Sequence, residues 1–390
     1  MVIVWSFRVN EACLGNEASL KALVQAQLIL LFGTRQAFEH SLTGTCDHLS
    51  RLCQAAPDAI ITGTTTGTLI EGTSLDEEGW SGIALSFDKV RLRQASVELQ
   101  TKAQSYEAGK RLAASLLGQD LRYILLLSPG LDVDGSALIK GLSEGVGEEV
   151  IITGGLAGDG AAFEKTYVLN SDHISSNEIV AVGFYGEGLR VGTATGGGWK
   201  AFGPEREVTS ASGTVLEALD GGPALDLYET YLGEEAAQLP ASALMFPLKI
   251  HDPDHPTREV VRTVLSIDRS AKTLTFAGSI PQNWPARLMR GQPNHLVSGA
   301  EAAIEKALLN LRARDPELEP QVCLAVSCVG RRLLMGQRTL DEVEAVGQRL
   351  GPTALQFGFY SYGEIAPYPD YSTAGLHNQT MCLTLLSEVA

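Results

Sequence analysis

One pattern occurs three times along the chain of 390 residues. Each copy runs from an amphipathic helix into a short apolar strand, a polar loop and a second helix; then come a second strand ending in glycine, a Gly-rich loop and a third strand. In the first copy the strands are LILLF (Leu28 to Phe32), IITGTTTG (Ile60 to Gly67) and GIALSF (Gly82 to Phe87). The second copy has YILLL (Tyr123 to Leu127), IITGGLAG (Ile151 to Gly158) and EIVAVGFY (Glu178 to Tyr185). The third has VCLAV (Val322 to Val326), LQFGFYSYG (Leu355 to Gly363) and TMCLTLL (Thr380 to Leu386).

In each copy the first strand ends about 30 residues before the glycine of the second, room for a helical crossover such as Leu340 to Leu350. A crossover of that kind makes the first two strands parallel. The third strand follows without a helix and is expected to return antiparallel. The interval from Gly154 to Gly358 exceeds that from Gly63 to Gly154 by about 113 residues, an insert centred on Gly196 to Arg290. Alternating stretches such as REVVRTVLSI and KTLTFAG, with turns at DPDHP and DRSAK, read as a small antiparallel sheet with one or two helices. The expected fold is therefore α/β (α+β), a mixed-sheet protein of two domains. Residues 1–200 hold two repeats; residues 201–390 hold the β-rich insert and the third repeat.

A net charge of -16 and a pI of about 4.9 repel phosphate backbones and anionic lipid, so nucleic acid is a poor expected partner. The N-terminus lacks a charged region ahead of its apolar stretch and reads as no secretory signal. The most apolar run, Leu28 to Phe32, is far too short to span a bilayer. Six cysteines without a CxxC pair fit reduced thiols in a cytosol.

Familiar catalytic signatures do not account for the chain. GLDVDGS, from Gly130, spaces its glycines like a P-loop but places Ser136 where the phosphate-pairing lysine stands, and reads as a turn and helix cap. GGLAGDG (Gly154 to Gly160) lacks the dinucleotide-binding order; its glycines, with Gly155 and Asp159 as candidates, offer backbone amides to a small ligand or only a tight turn. His251-Asp-Pro-Asp-His255 has the residue types of a metal site, but Pro253 and Pro256 favour a solvated turn.

The third copy gathers unusual polar residues at strand ends, where α/β layers collect ligands. Cys328 and Arg331 follow its first strand, Tyr360, Tyr362 and Glu364 follow its second, and His377, Asn378 and Thr380 precede its third. All are expected on one edge of the sheet. Arg331 is the candidate partner for a carboxylate or zwitterionic ligand, with Glu364 as cation partner; alternatively the two residues pair with each other. Two neighbouring arginines would lower the Cys328 thiol pKa, whereas burial would make Cys328 a core residue. An enzyme using Cys328 and His377 is a competing reading.

The words IITGTTTG, IITGGLAGDG, GGGW with a following FGP and VT, ALDGGPALDLY, MFPL, VSCVGRR, FGFYSYGEIAP and HNQT stand in the order seen in the FIST family, which the chain resembles from Ile60 to Thr380. At Gly67-Thr68-Leu69 it departs from the family's small residue followed by Gly-Glu. The resemblance implies a non-catalytic intracellular sensory protein that binds small ligands such as amino acids. Its implied partner is a separate histidine kinase or cyclic-di-GMP enzyme. Free-standing two-domain members include haem-binding nitric-oxide sensors; haem is thus implied by the resemblance alone, with His377 or His251 as candidate axial ligands and His255 and His295 also available.

Overall fold

The structure is a computed structural model that describes residues 2–9, 23–45, 47–171, 173–369 and 373–389. Cys13 and Cys46, and the N-terminal segment after Val9, lie outside the described residues. Cys323, Cys328 and Cys382 are free, buried thiols.

The opening strands of the three copies are Leu28–Gly33, Leu121–Ser128 and Val322–Cys328. Each is apolar on both faces, as a strand buried on both sides must be. Alternation then sends their side chains to two different cores. Leu28, Leu30 and Phe32 meet Tyr123, Leu125, Leu127, Val322, Leu324 and Val326 in one central cluster. Their neighbours point outward, each set into a separate helix-covered layer: Ile29 and Leu31 with Phe38 and Leu52, Ile124 and Leu126 with Leu112 and Leu138, Cys323 and Ala325 with Ile304 and Val346. The three sheets thus share one interior.

The expected strand directions hold in every copy. Each opening strand pairs parallel with the glycine-bearing strand, Ile60–Thr65, Ile151–Leu156 or Leu355–Ser361. Each also pairs antiparallel with the returning strand, Trp80–Ser86, Glu178–Tyr185 or Met381–Glu388. Gly63, Gly154 and Gly358 stand opposite Leu31, Leu126 and Ala325, where an added Cβ would lie 1.7, 1.9 and 1.7 Å from the facing carbonyl oxygen. Close approach of backbone to backbone is what these glycines supply.

A hairpin separates the second and third strands of each copy, and it joins the sheet of another copy. Leu69–Glu71 with Ser74–Asp76 pairs onto Leu355–Ser361 of the third copy. Gly363–Pro367 with Ala374–His377 pairs onto Ile151–Leu156 of the second. Val168–Asn170 with His173–Ser175 pairs onto Ile60–Thr65 of the first. The exchange closes a ring in which every copy completes another.

The insert forms its own antiparallel sheet from Lys200–Ser212 to Pro285–Arg290, with the helix Ala224–Leu232 packed on a separate core that includes Val208, Leu225 and Phe276. It lies against the third copy through Arg262, whose Nη1 donates to the Leu376 carbonyl at 2.8 Å. Among the described residues no helix is long and apolar enough to cross a membrane.

Candidate functional site

The polar residues of the third copy do converge, but as packed interior. The Cys328 amide donates to the Thr380 carbonyl at 3.0 Å, and Thr380 donates through its amide and hydroxyl to Glu364 Oε2 at 3.2 and 2.9 Å. Ser361 Oγ donates to Glu364 Oε1 at 2.7 Å. Burial pushes the Glu364 carboxyl up to about 8, so it is largely protonated near neutral pH.

Arg331 does not pair with Glu364; its ion partner is Glu342 on the helix Thr339–Leu350, at 2.6 Å with both side chains wholly buried. Its remaining donors reach the carbonyls of Gly197, Leu296 and Gln379. Nε also donates to Glu342, so all five N–H groups are used within the protein. Tyr360 and Ser327 complete the cluster by donating to Glu342 Oε1 at 2.8 and 3.0 Å. Arg331 therefore fastens four segments and has no donor left for a ligand anion.

Of the two readings of Cys328, a thiol activated by neighbouring arginines or a buried core residue, the structure shows the second. Burial and the adjacent Glu364 carboxyl push that thiol up, and the residue stands just before a short helix with its side chain in the core. His377 is buried too, its pKa lowered by burial to about 4, with Nε2 3.1 Å from the Ala366 carbonyl. Cys328 and His377 are thus a neutral thiol and a neutral imidazole, not an activated pair.

Tyr362 turns away from this cluster toward the second copy. Its hydroxyl donates to Asp159 in the second copy's glycine loop, and its ring stacks on Phe163 at 4.5 Å between centroids. Asp159 also accepts from the amides of Phe163, Glu164 and Lys165 and pairs with Arg35. Burial acts against the charged form, yet the backbone donors led by Lys165 hold its carboxyl below the usual range. Gly155 stands opposite Glu364 in the ladder, with Val326 and Phe359 filling the space a side chain would need.

Asn378 differs from all of these. It is wholly buried, and among the described residues neither Nδ2 nor Oδ1 has a hydrogen-bond partner. Its neighbours His377 and Thr380 line a cleft of about 210 Å³ with Thr195, Gly197, Trp199 and Lys249. Trp199 Nε1 donates to the Gln379 carbonyl at 2.8 Å, tying the GGGW word to the HNQT word.

With this geometry described, the family comparison is decisive. The model of the FIST N domain matches residues 27–222, and that of the FIST C domain matches residues 224–367. The chain belongs to the FIST family. FIST domains are sensory domains of signal-transduction proteins and bind small ligands. A search of curated proteins finds no match. Among solved structures, cyanuric acid hydrolase from A. caulinodans aligns over 100% of both chains at 10% identity with a TM-score of 0.39, a likeness from which nothing is drawn about activity.

In this FIST protein His377 does not fit an axial ligand of haem, because its ring is committed to Ala366 and packed against Tyr368 at 5.7 Å between centroids. His251 ends a strand of the insert sheet opposite Glu259. Among the described residues no group of three or more His, Cys, Asp or Glu side chains is placed to hold a metal ion.

Sequence reasoning missed Glu342. The signal was present: Thr339, Glu342, Val343, Val346 and Leu350 share the buried face of one helix, and an acid in an apolar stripe calls for a buried cation.

Proposed function

We propose that this FIST protein is a non-catalytic sensor that binds a small ligand in the cleft between the insert and the third copy and reports its occupancy to a separate signalling protein, a histidine kinase or a cyclic-di-GMP enzyme. The observation that carries this reading is Asn378. An amide that is fully buried without partners is costly to fold, and a ligand with one donor and one acceptor that enters from the cleft lined by its chain neighbours His377 and Thr380 would satisfy it. His377, Thr380 and Trp199 supply the walls.

The hairpin exchange offers a route for the signal. His377 ends a hairpin whose other strand is paired to the second copy's sheet through Glu364 opposite Gly155. A ligand that holds residues 377–380 therefore acts on a segment shared by two copies. Hydrogen exchange with and without a ligand found by thermal-shift screening tests this: protection is expected at residues 197–199 and 377–380 and across Gly363–Pro367, and protection confined to other segments overturns the reading.

A further inference from the structure

A larger groove, of about 580 Å³, lies on the far side of the same hairpin strand, between the insert and the helix Gly135–Val146 of the second copy. That volume is within the roughly 300–1,000 Å³ typical of small-molecule sites. One of its lining residues, Arg262, is 4% exposed.

The guanidinium of Arg262 is held in a fixed position by backbone alone. Nε donates to the Ser279 carbonyl at 3.0 Å, and Nη1 donates to Leu376 and, at 3.4 Å, to Val261. Gly278 lies flat against it: a Cβ there would sit 2.9 Å from Nε and 3.0 Å from Cζ. Among the described residues no carboxylate comes within 4.0 Å of this cation, and Nη2 has no acceptor. Its contrast with Arg331, equally buried but saturated by Glu342, is direct. Asp134 and Tyr368 act on this cation electrostatically, but from beyond ion-pair distance; a buried cation without a counter-ion in contact is costly, and an incoming anion would relieve that cost.

The opposite wall shows the complementary deficit. Ser136 and Ser143, on the helix Gly135–Val146, both line the groove, and the Oγ of each is buried without a hydrogen-bond partner among the described residues. Ser136 stands in the first turn of that helix, where unpaired backbone amides and the helix dipole favour an anion. Asp134 lines the same end, but its Oδ1 caps the helix by accepting from the Ala137 amide at 3.0 Å. Between the walls Trp284 and Tyr368 present aromatic surface.

We infer that this groove is a second ligand site, which takes a small organic carboxylate: Arg262 Nη2 and Ser136 donate to the carboxylate, Trp284 and Tyr368 pack its apolar body, and Ser143 meets a distal polar group. The carboxylate-pairing role that the sequence suggests for Arg331 thus falls to Arg262, which the sequence does not single out. The site goes beyond the cleft at Asn378 and stands independently of it.

Calorimetric titration of the full chain with benzoate and with benzamide, its neutral near-isostere, tests the inference. Benzoate is expected to bind at millimolar concentration or below and benzamide at least about tenfold more weakly. Arg262→Gln, with folding checked by circular dichroism, is expected to weaken benzoate at least about tenfold, and Arg262→Lys less, since the lysine keeps charge but not the planar fork. Should Arg262→Gln fail to fold, Ser136→Ala serves in its place, with a severalfold loss expected. Absence of benzoate binding to the wild-type protein, equal affinity for benzamide, or wild-type affinity in the folded variant overturns the inference.

Discussion

Arg331 and Glu342 form an ion pair 2.6 Å apart in which both side chains are wholly buried. The pair joins the start of one helix of the third copy to the next helix, and through the carbonyls of Gly197, Leu296 and Gln379 it reaches the insert junction. Removing one partner leaves the other charged and unsatisfied. Arg331→Met is therefore expected to destabilise the protein by about 3–5 kcal/mol, and Arg331→Met with Glu342→Leu by clearly less. Urea unfolding of the two variants measures the difference; equal losses would contradict the assignment.

Glu364 makes stability depend on pH with a definite sign. Its carboxyl is raised from 4.5 to about 8 in the folded state, so the folded protein binds the proton more tightly than the unfolded chain. The stabilisation is full below about pH 4.5 and is lost as pH rises through 8. Glu364→Gln is expected to remove this loss and flatten the stability profile between pH 5 and 8. A Glu364→Gln profile parallel to that of the wild type would show that the carboxyl is not held neutral.

The three glycines opposite the opening strands make the same demand in each copy. Gly358→Ala places a Cβ against the Ala325 carbonyl and is expected to cost about 3 kcal/mol, as are Gly63→Ala and Gly154→Ala. Melting temperatures of the three single variants check this. A tolerated alanine at any one of them would show that this copy's sheet yields where the others cannot.

Asp159 gathers three backbone amides, Arg35 and Tyr362 into one loop. Asp159→Ala is expected to cost about 2 kcal/mol or more by leaving those donors unpaired. Tyr362→Phe, which removes a single donor, is expected to cost about 1 kcal/mol. Denaturant unfolding ranks the two; a larger loss for Tyr362→Phe would displace Asp159 as the organiser.

The repeat was legible because short, wholly apolar strands and glycines at matching offsets recur three times, and strand direction followed from the length of each crossover. The hairpins were not legible. Strands of three residues such as Leu69–Glu71 and Val168–Asn170 are too short to show a period, and their partners lie in a different copy. The convergence of Cys328, Arg331, Glu364 and Thr380 could be read from strand order, but strand order does not tell a pocket from a packed interior. Glu342 decides that for Arg331. Arg262 was hidden in REVVRTVLSI because its partners are backbone carbonyls, which carry no side-chain signal.

The central claim is that Asn378 is kept buried and unpaired for a ligand. Thermal-shift screening of amino acids and other small metabolites against the wild type and Asn378→Leu tests it most directly. A ligand that binds only the folded state raises its stability by about 2.7 kcal/mol at a hundred times its Kd. The account predicts a wild-type response to at least one compound, loss of that response in Asn378→Leu, and a ligand-free variant as stable as the wild type or more so, because an unsatisfied amide has been removed. A ligand response unchanged in Asn378→Leu, or a variant destabilised without ligand, would contradict it.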